Sequence, residues 1–190
     1  MMPGKGKGVL VLVVGPSGAG KDTLLDGARA ALAGDTRFRF VKRTITRPAD
    51  AGGEAHEAVD RAEFARRRAA GGFALHWSAH GLDYGIPADI AADLAAGRVV
   101  VANVSRAVLD AARARFPARV VVVTAPVEMR AARLLARGRE DAAAIAERLA
   151  REVAEPEGTD VTVVRNDARV AEGVARFVAV LKRIASAASA

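Results

Sequence analysis

The 190-residue chain is 51% hydrophobic and 27% charged, with a formal net charge of +7, a globular balance that excludes a wholly disordered or fibrous protein. Having no cysteine, it can form neither disulfides nor thiolate centres. Its 29 basic residues are mostly arginines scattered along the chain, with no block of like charge and only 4% aromatics. That surplus suits polyanionic small molecules better than a nucleic-acid groove, so no nucleic-acid partner is expected.

In chain order, the first apolar run is VLVLVV (9–14). It is too short to cross a bilayer, and no small-residue cleavage site follows it, so the expectation is a soluble, cytoplasmic protein with no membrane partner. Rich in valine, it reads as a strand buried on both faces of a parallel sheet. Residues 21–33 then place Leu24, Leu25, Ala28 and Leu32 on one helical face, with Gly34 as the stop. Apolar runs at 98–104, 119–125 and 161–166 are each followed by a helical segment, at 105–115, 126–137 and 169–185. Repeated strand–helix units predict one α/β domain of three layers, with a parallel central sheet built from 8–34, 98–136 and 158–187.

Two regions break this rhythm. Residues 35–90 read as an insertion, with strand-like pieces RFRFVKR and FALHWSAHGLDYGIP around a polar helix over 60–72. Residues 137–157 are rich in arginine and glutamate with little apolar face, which fits a solvated helix or a lid over bound ligand.

The chemistry concentrates in GPSGAGKDT (15–23). A buried strand runs into Gly15, Pro16, Ser17, Gly18, Ala19 and Gly20, whose backbone N–H groups can line a concave nest, and a helix opens at Lys21. Lys21 can reach the β- and γ-phosphates of ATP. Asp22 stands where a magnesium-liganding hydroxyl is usual, and Thr23 comes one place late. Asp22 can hold Mg²⁺ through water, with the Thr23 hydroxyl beside it. A loop with its hydroxyl displaced by one resembles those of small-molecule and nucleotide kinases, and that resemblance favours a kinase over a motor or a switch GTPase. The run 98–104 ends at Asn103 rather than at an acid. His56, His76 and His80 lack metal-cage spacing and read as packing or surface residues, and Trp77 reads as core.

The order of motifs resembles guanylate kinases over nearly the whole chain: GPSGAGK (15–21), TR…GE (46–54), YG (84–85), RLLARGRE (133–140), ERL (147–149) and ND (166–167). The resemblance implies a P-loop NTPase fold of guanylate-kinase-like form, an acceptor-binding region at 35–90 and a helical lid at 137–157. Carried over by position, it implies Arg137, Arg148 and Arg139 as lid arginines, Asn166 near the adenine, and Arg47 and Tyr84 on the acceptor phosphate. The purine-reading parts are missing. His76 stands where those enzymes have a glutamate, and NVSR (103–106) replaces an acidic pair. A site without its partners for a purine cannot offset desolvation of the base.

Arginine appears where those groups disappear: Arg43 and Arg106, beside Ser105, join Arg47. Guanidinium groups grip phosphate bidentately, which suits an acceptor with two phosphates and no base. GPSGAGKD, ITR, WSAHGLDYG, SRAVL and RGRE together resemble the ribose 1,5-bisphosphate phosphokinase family of phosphonate catabolism. That resemblance implies Mg²⁺-ATP as donor, a sugar bisphosphate as acceptor and 5-phosphoribosyl 1-diphosphate as product. The alternatives are a guanylate kinase and a non-catalytic guanylate-kinase-like interaction module. The module would be expected to lose the loop lysine and the lid arginines, which this chain keeps.

Overall fold

A computed structural model describes residues 8–50, 54–136, 138, 142–150 and 154–188, with the side chains of residues 142 and 148 left out. The first half of the chain forms β1 (Val9–Val14), α1 (Lys21–Ala31), β2 (Phe38–Phe40), β3 (Thr44–Ile45), β4 (Glu57–Ala58), α2 (Arg61–Ala69), β5 (Phe73–Ala79), β6 (Leu82–Pro87) and α3 (Ile90–Ala95). The second half forms β7 (Val99–Asn103), a 3-10 turn at Arg106–Val108 leading into α4 (Leu109–Arg115), β8 (Ala118–Thr124), α5 (Val127–Ala136), α6 (Ala142–Ala150), β9 (Val161–Arg165) and α7 (Val170–Ala188).

Five strands pair in parallel in the order β2-β7-β1-β8-β9. Side chains alternate along a strand, so a strand apolar at every position must be covered on both faces. Leu10, Leu12 and Val14 enter one core with Ile90 and Leu94 of α3 and Leu109 and Ala112 of α4. Val9, Val11 and Val13 face the other way, onto Leu24, Leu25 and Ala28 of α1 and Phe177 and Leu181 of α7. Full burial of a side chain such as Phe177 or Leu181 stabilises the fold by about 1.5–3 kcal/mol. The three layers read from the sequence are present. Among the described residues no helix is long and apolar enough to cross a membrane.

One strand of the central sheet comes from the stretch read as an insertion. Phe38–Phe40 runs in register against Val99–Val101 as an edge strand. Three residues are too few to show a period, and Arg39 interrupts them; its guanidinium reaches out to Asp89 (2.8 Å) and Asp93. A charge at the sheet edge also discourages pairing with another chain.

A second sheet, ordered β4-β3-β6-β5, is mixed: β3 pairs β4 in parallel and β6 antiparallel, and β5 and β6 form a hairpin. The hairpin closes on His80 (φ 51°) and Gly81 (φ 73°), and positive φ at both central residues matches the twist of the flanking strands. Leu75, Trp77 and Ile86 of this hairpin join the core under β1. The small sheet therefore leans against the same face of the central sheet as α3 and α4. Near the chain's other irregular region, α6 packs on α5 and buries Ile145. The segment read as polar all round thus has one anchored side, because a single isoleucine is enough to seat a two-turn helix but too little to register as a stripe.

Candidate functional site

A cleft of about 1380 Å³ lies where the ends of β1 and β7 face the small sheet. One wall is the loop after β1. Gly15, Pro16, Ser17, Gly18, Gly20, Lys21 and Asp22 all line it, while Ala19 is turned inward and buried. Glycine is required here for two different reasons. A Cβ on Gly15 would come within 2.1 Å of the Val123 carbonyl oxygen, so the loop could not lie against β8. Gly20 caps α1 in the left-handed region (φ 88°), which side chains rarely adopt. Lys21 Nζ donates to the carbonyls of Gly15 (2.7 Å) and Pro16 (3.2 Å), across the mouth of the nest.

Asp22 faces the cleft from the first turn of α1 and accepts from Asn103 Nδ2 at 3.2 Å. Thr23 is exposed and is not among the lining residues. Successive helical residues are about 100° apart, so once Lys21 and Asp22 face the cleft, Thr23 points round the helix. Its hydroxyl is not brought beside Asp22 as the sequence reading expected.

Side chains that the sequence reading missed hold the loop in place. Arg130 Nε donates to Ser17 O (3.0 Å), and Arg133 Nη1 reaches the carbonyls of Gly18 (3.4 Å) and Ala19 (3.3 Å). Both lie three apart on α5, a spacing visible in the sequence, but nothing local says that a buried arginine faces a loop 110 residues away. Asn166, expected near the adenine, is instead buried under the loop. Its amide donates to Ala19 O at 2.8 Å, and it does not line the cleft. The end of β9 delivers it there because β9 pairs with β8, which borders the loop. The adjoining Asp167 carboxyl is held below its usual pKa, chiefly by a hydrogen bond from Arg176.

The opposite wall, where the acceptor is expected, carries Arg43, Trp77, Tyr84, Ser105 and Arg106. Trp77 and Tyr84 are a cross-strand pair with rings stacked at 5.3 Å and 3°, and the Arg43 guanidinium lies 5.2 Å from the Tyr84 ring centroid and 5.7 Å from that of Trp77. Trp77 is core, as read, and also forms the floor of the cleft. Arg43 is paired with Glu54, whose Oε1 accepts from Nε at 2.7 Å. Glu54 Oε2 accepts from Asn103 Nδ2 at 3.0 Å. The amide at the end of β7 thus joins Asp22 to the Arg43–Glu54 pair. Ser105 caps the following turn, its Oγ accepting from Ala107 N at 3.3 Å.

One expected acceptor residue lies elsewhere. Arg47 does not line the cleft; its Nη2 lies 3.2 Å from His56 Nδ1, and its carbonyl lies 3.1 Å from His56 Nε2. Arg47 Nε is buried without a hydrogen-bond partner. His76, next to Trp77, points to the opposite face of β5 and is exposed, because neighbours on a strand alternate. His80, unassigned from sequence, lines the cleft from the hairpin turn. Arg137 and Arg139 lie outside the described residues, as does the Arg148 side chain; Ala154 and Glu155, just after α6, border the cleft. In balance the lining bears Lys21, Arg43, Arg106 and Arg130 against Asp22 and Glu155. It is built to receive anions.

A buried strand, a glycine nest and a helix facing a cationic cleft define a P-loop kinase. The fold is that of guanylate kinase from Anaplasma phagocytophilum, which superposes with a TM-score of 0.63 at 21% identity, over 95% of this chain and 87% of that one. No family model matches the chain. In sequence, it is 51% identical over 181 residues to ribose 1,5-bisphosphate phosphokinase of Brucella melitensis, covering 94% of each. It is 53% identical over 182 residues to the protein of that name from Acidiphilium cryptum, covering 96% of each. The chain belongs to the ribose 1,5-bisphosphate phosphokinase family.

Proposed function

We propose that the protein transfers the γ-phosphoryl group of ATP to ribose 1,5-bisphosphate, giving ADP and 5-phosphoribosyl 1-diphosphate. The observation that carries this reading is the acceptor wall: Arg43 and Arg106 line the cleft opposite a glycine nest, over a stacked Trp77–Tyr84 pair. The names of the relatives support it. An oxygen of the acceptor's 1-phosphate attacks the γ-phosphorus as the bond to the β–γ bridging oxygen breaks. That phosphate is already ionised at neutral pH, so no general base is required, and catalysis is alignment plus neutralisation of charge.

Each named side chain has a task in that scheme. Lys21 swings from the loop carbonyls onto the β- and γ-phosphates. Arg43 exchanges the Glu54 carboxylate for an acceptor phosphate, one anion for another on a guanidinium already oriented by two rings. Arg106 and Ser105 take the second phosphate. Arg137, Arg139 and Arg148 bring further positive charge from the lid and shut out water.

Mg²⁺ bound with ATP supplies charge neutralisation on the phosphate oxygens. Asp22, facing the cleft beside Lys21, fits a role of holding that ion through water. Among the described residues there is no cluster of three or more metal-ligating side chains. A magnesium site made of one carboxylate plus nucleotide phosphates and water needs none.

Phosphorus NMR of a mixture of protein, Mg²⁺-ATP and ribose 1,5-bisphosphate tests the reading: diphosphate resonances of 5-phosphoribosyl 1-diphosphate should appear as those of ATP decline. Turnover of GMP in place of the sugar bisphosphate would overturn the choice of acceptor. Arg106→Ala is expected to raise the acceptor KM by roughly tenfold or more, the usual cost of a charge-assisted contact, with the ATP KM unchanged. Steady-state kinetics in both substrates decides it, and an unaltered acceptor KM removes Arg106 from the site.

A further inference from the structure

A peptide unit carries its N–H and C=O on opposite sides, so fixing a carbonyl from behind a loop also aims the next residue's N–H in front of it. The glycine nest here is fixed in that way. The carbonyl of Ala19, held by Asn166 at 2.8 Å and by Arg133, sets the plane that contains the Gly20 N–H.

Asn166 is itself tightly held. Its backbone N–H donates to Thr124 O at 2.7 Å, its carbonyl accepts from Arg133 Nη2 at 3.0 Å, and it is 4% exposed. Two glycines make room for its amide. A Cβ on Gly20 would come within 2.4 Å of Nδ2, and a Cβ on Gly173 within 2.5 Å of Oδ1. An amide confined on two sides and bonded to a loop carbonyl is a strut, and a strut in this place acts on whatever the loop binds.

We propose that Asn166 is a positioning residue for the donor's phosphate chain: through the Ala19 carbonyl it aims the Gly20 N–H into the nest, and it makes no contact with the base. Donors fixed in place before the ligand arrives need no reorganisation on binding, which is where such an effect gains its size. The inference rests on the reading of the loop as the donor site, and is independent of which acceptor is used.

The test is displacement of a fluorescent ADP analogue from the full-length protein by ADP and by inorganic tripolyphosphate, which has phosphates and no base. It compares wild type with Asn166→Ala and the isosteric Asn166→Asp, which keeps the volume but sets an oxygen against the Ala19 carbonyl. Both variants should weaken ADP and tripolyphosphate by the same factor, roughly tenfold as expected for loss of a buried hydrogen bond, with the aspartate at least as damaging as the alanine. Loss of ADP affinity with tripolyphosphate unaffected would assign Asn166 to the base and overturn the inference, as would unchanged affinity for both. Thermal melting of each variant identifies one that has failed to fold, and the other then carries the comparison. Failure of the wild-type protein to bind the ADP analogue would instead overturn the donor-site reading, and this inference with it.

Discussion

Lys21→Ala is expected to lower the rate of phosphoryl transfer by about a thousandfold or more, the range seen when a fixed donor to a charged transition state is removed from a dry site. Among the described residues the ammonium is the only lysine charge that lines the cleft. At the first position of α1, it is tethered by the same loop whose N–H groups are proposed to bind phosphate. Its partners include two backbone carbonyls, at 2.7 and 3.2 Å, which water satisfies on its removal. Lys21→Arg should fare little better, because a planar fork cannot follow the nest's narrow mouth as a compact ammonium does. Single-turnover assays with radiolabelled ATP, alongside circular dichroism of each variant, measure this. A rate within tenfold of wild type would remove Lys21 from the chemistry.

Arg43→Ala should lower kcat/KM for the acceptor by about a hundredfold or more, and it should do so for two separable reasons. One is loss of the guanidinium that receives phosphate. The other is that Glu54, whose carboxylate is 15% exposed and paired to Arg43, is left uncompensated beside Asp22 and Asn103. Truncating one partner of such a pair costs roughly 2–5 kcal/mol, much of it the penalty for the charge left behind. An abandoned carboxylate also repels a bisphosphate. The double variant Arg43→Ala with Glu54→Gln should therefore bind the acceptor better than Arg43→Ala alone. Simple additivity in this double-mutant cycle would mean that the two side chains act independently, and the exchange of Glu54 for phosphate would be wrong.

Glu54 was legible in the sequence only as part of a GE pair, with no hint of its partner. Arg43 lies eleven residues away, immediately before β3, and the pairing exists because β3 and the bend at Glu54 are brought together by the β3–β4 contact. The same holds for the donor side. The loop itself could be read letter by letter, because a nest needs glycines at fixed spacing between a strand and a helix. What holds it in place could not. Arg130, Arg133 and Asn166 reach the loop across more than a hundred residues, and their roles depend on how α5 and β9 dock rather than on any local pattern. Assigning Asn166 to the adenine followed position in a motif; the register of β9 beside β8 turns its amide inward instead.

By itself the sequence determined four strands of the central sheet, their two-sided covering and the phosphate loop, because each rests on short-range rules: the period of apolar residues, the conformational freedom of glycine and the helix that opens at Lys21. Motifs close in sequence also identified the family. Only the tertiary structure decided which arginines share the cleft. It sent Arg47 to His56, set Arg43 over the Trp77–Tyr84 stack and brought His80 to the cleft from a hairpin turn. A side chain's task depends on which charge or ring is packed against it, and packing joins residues that the chain itself keeps far apart.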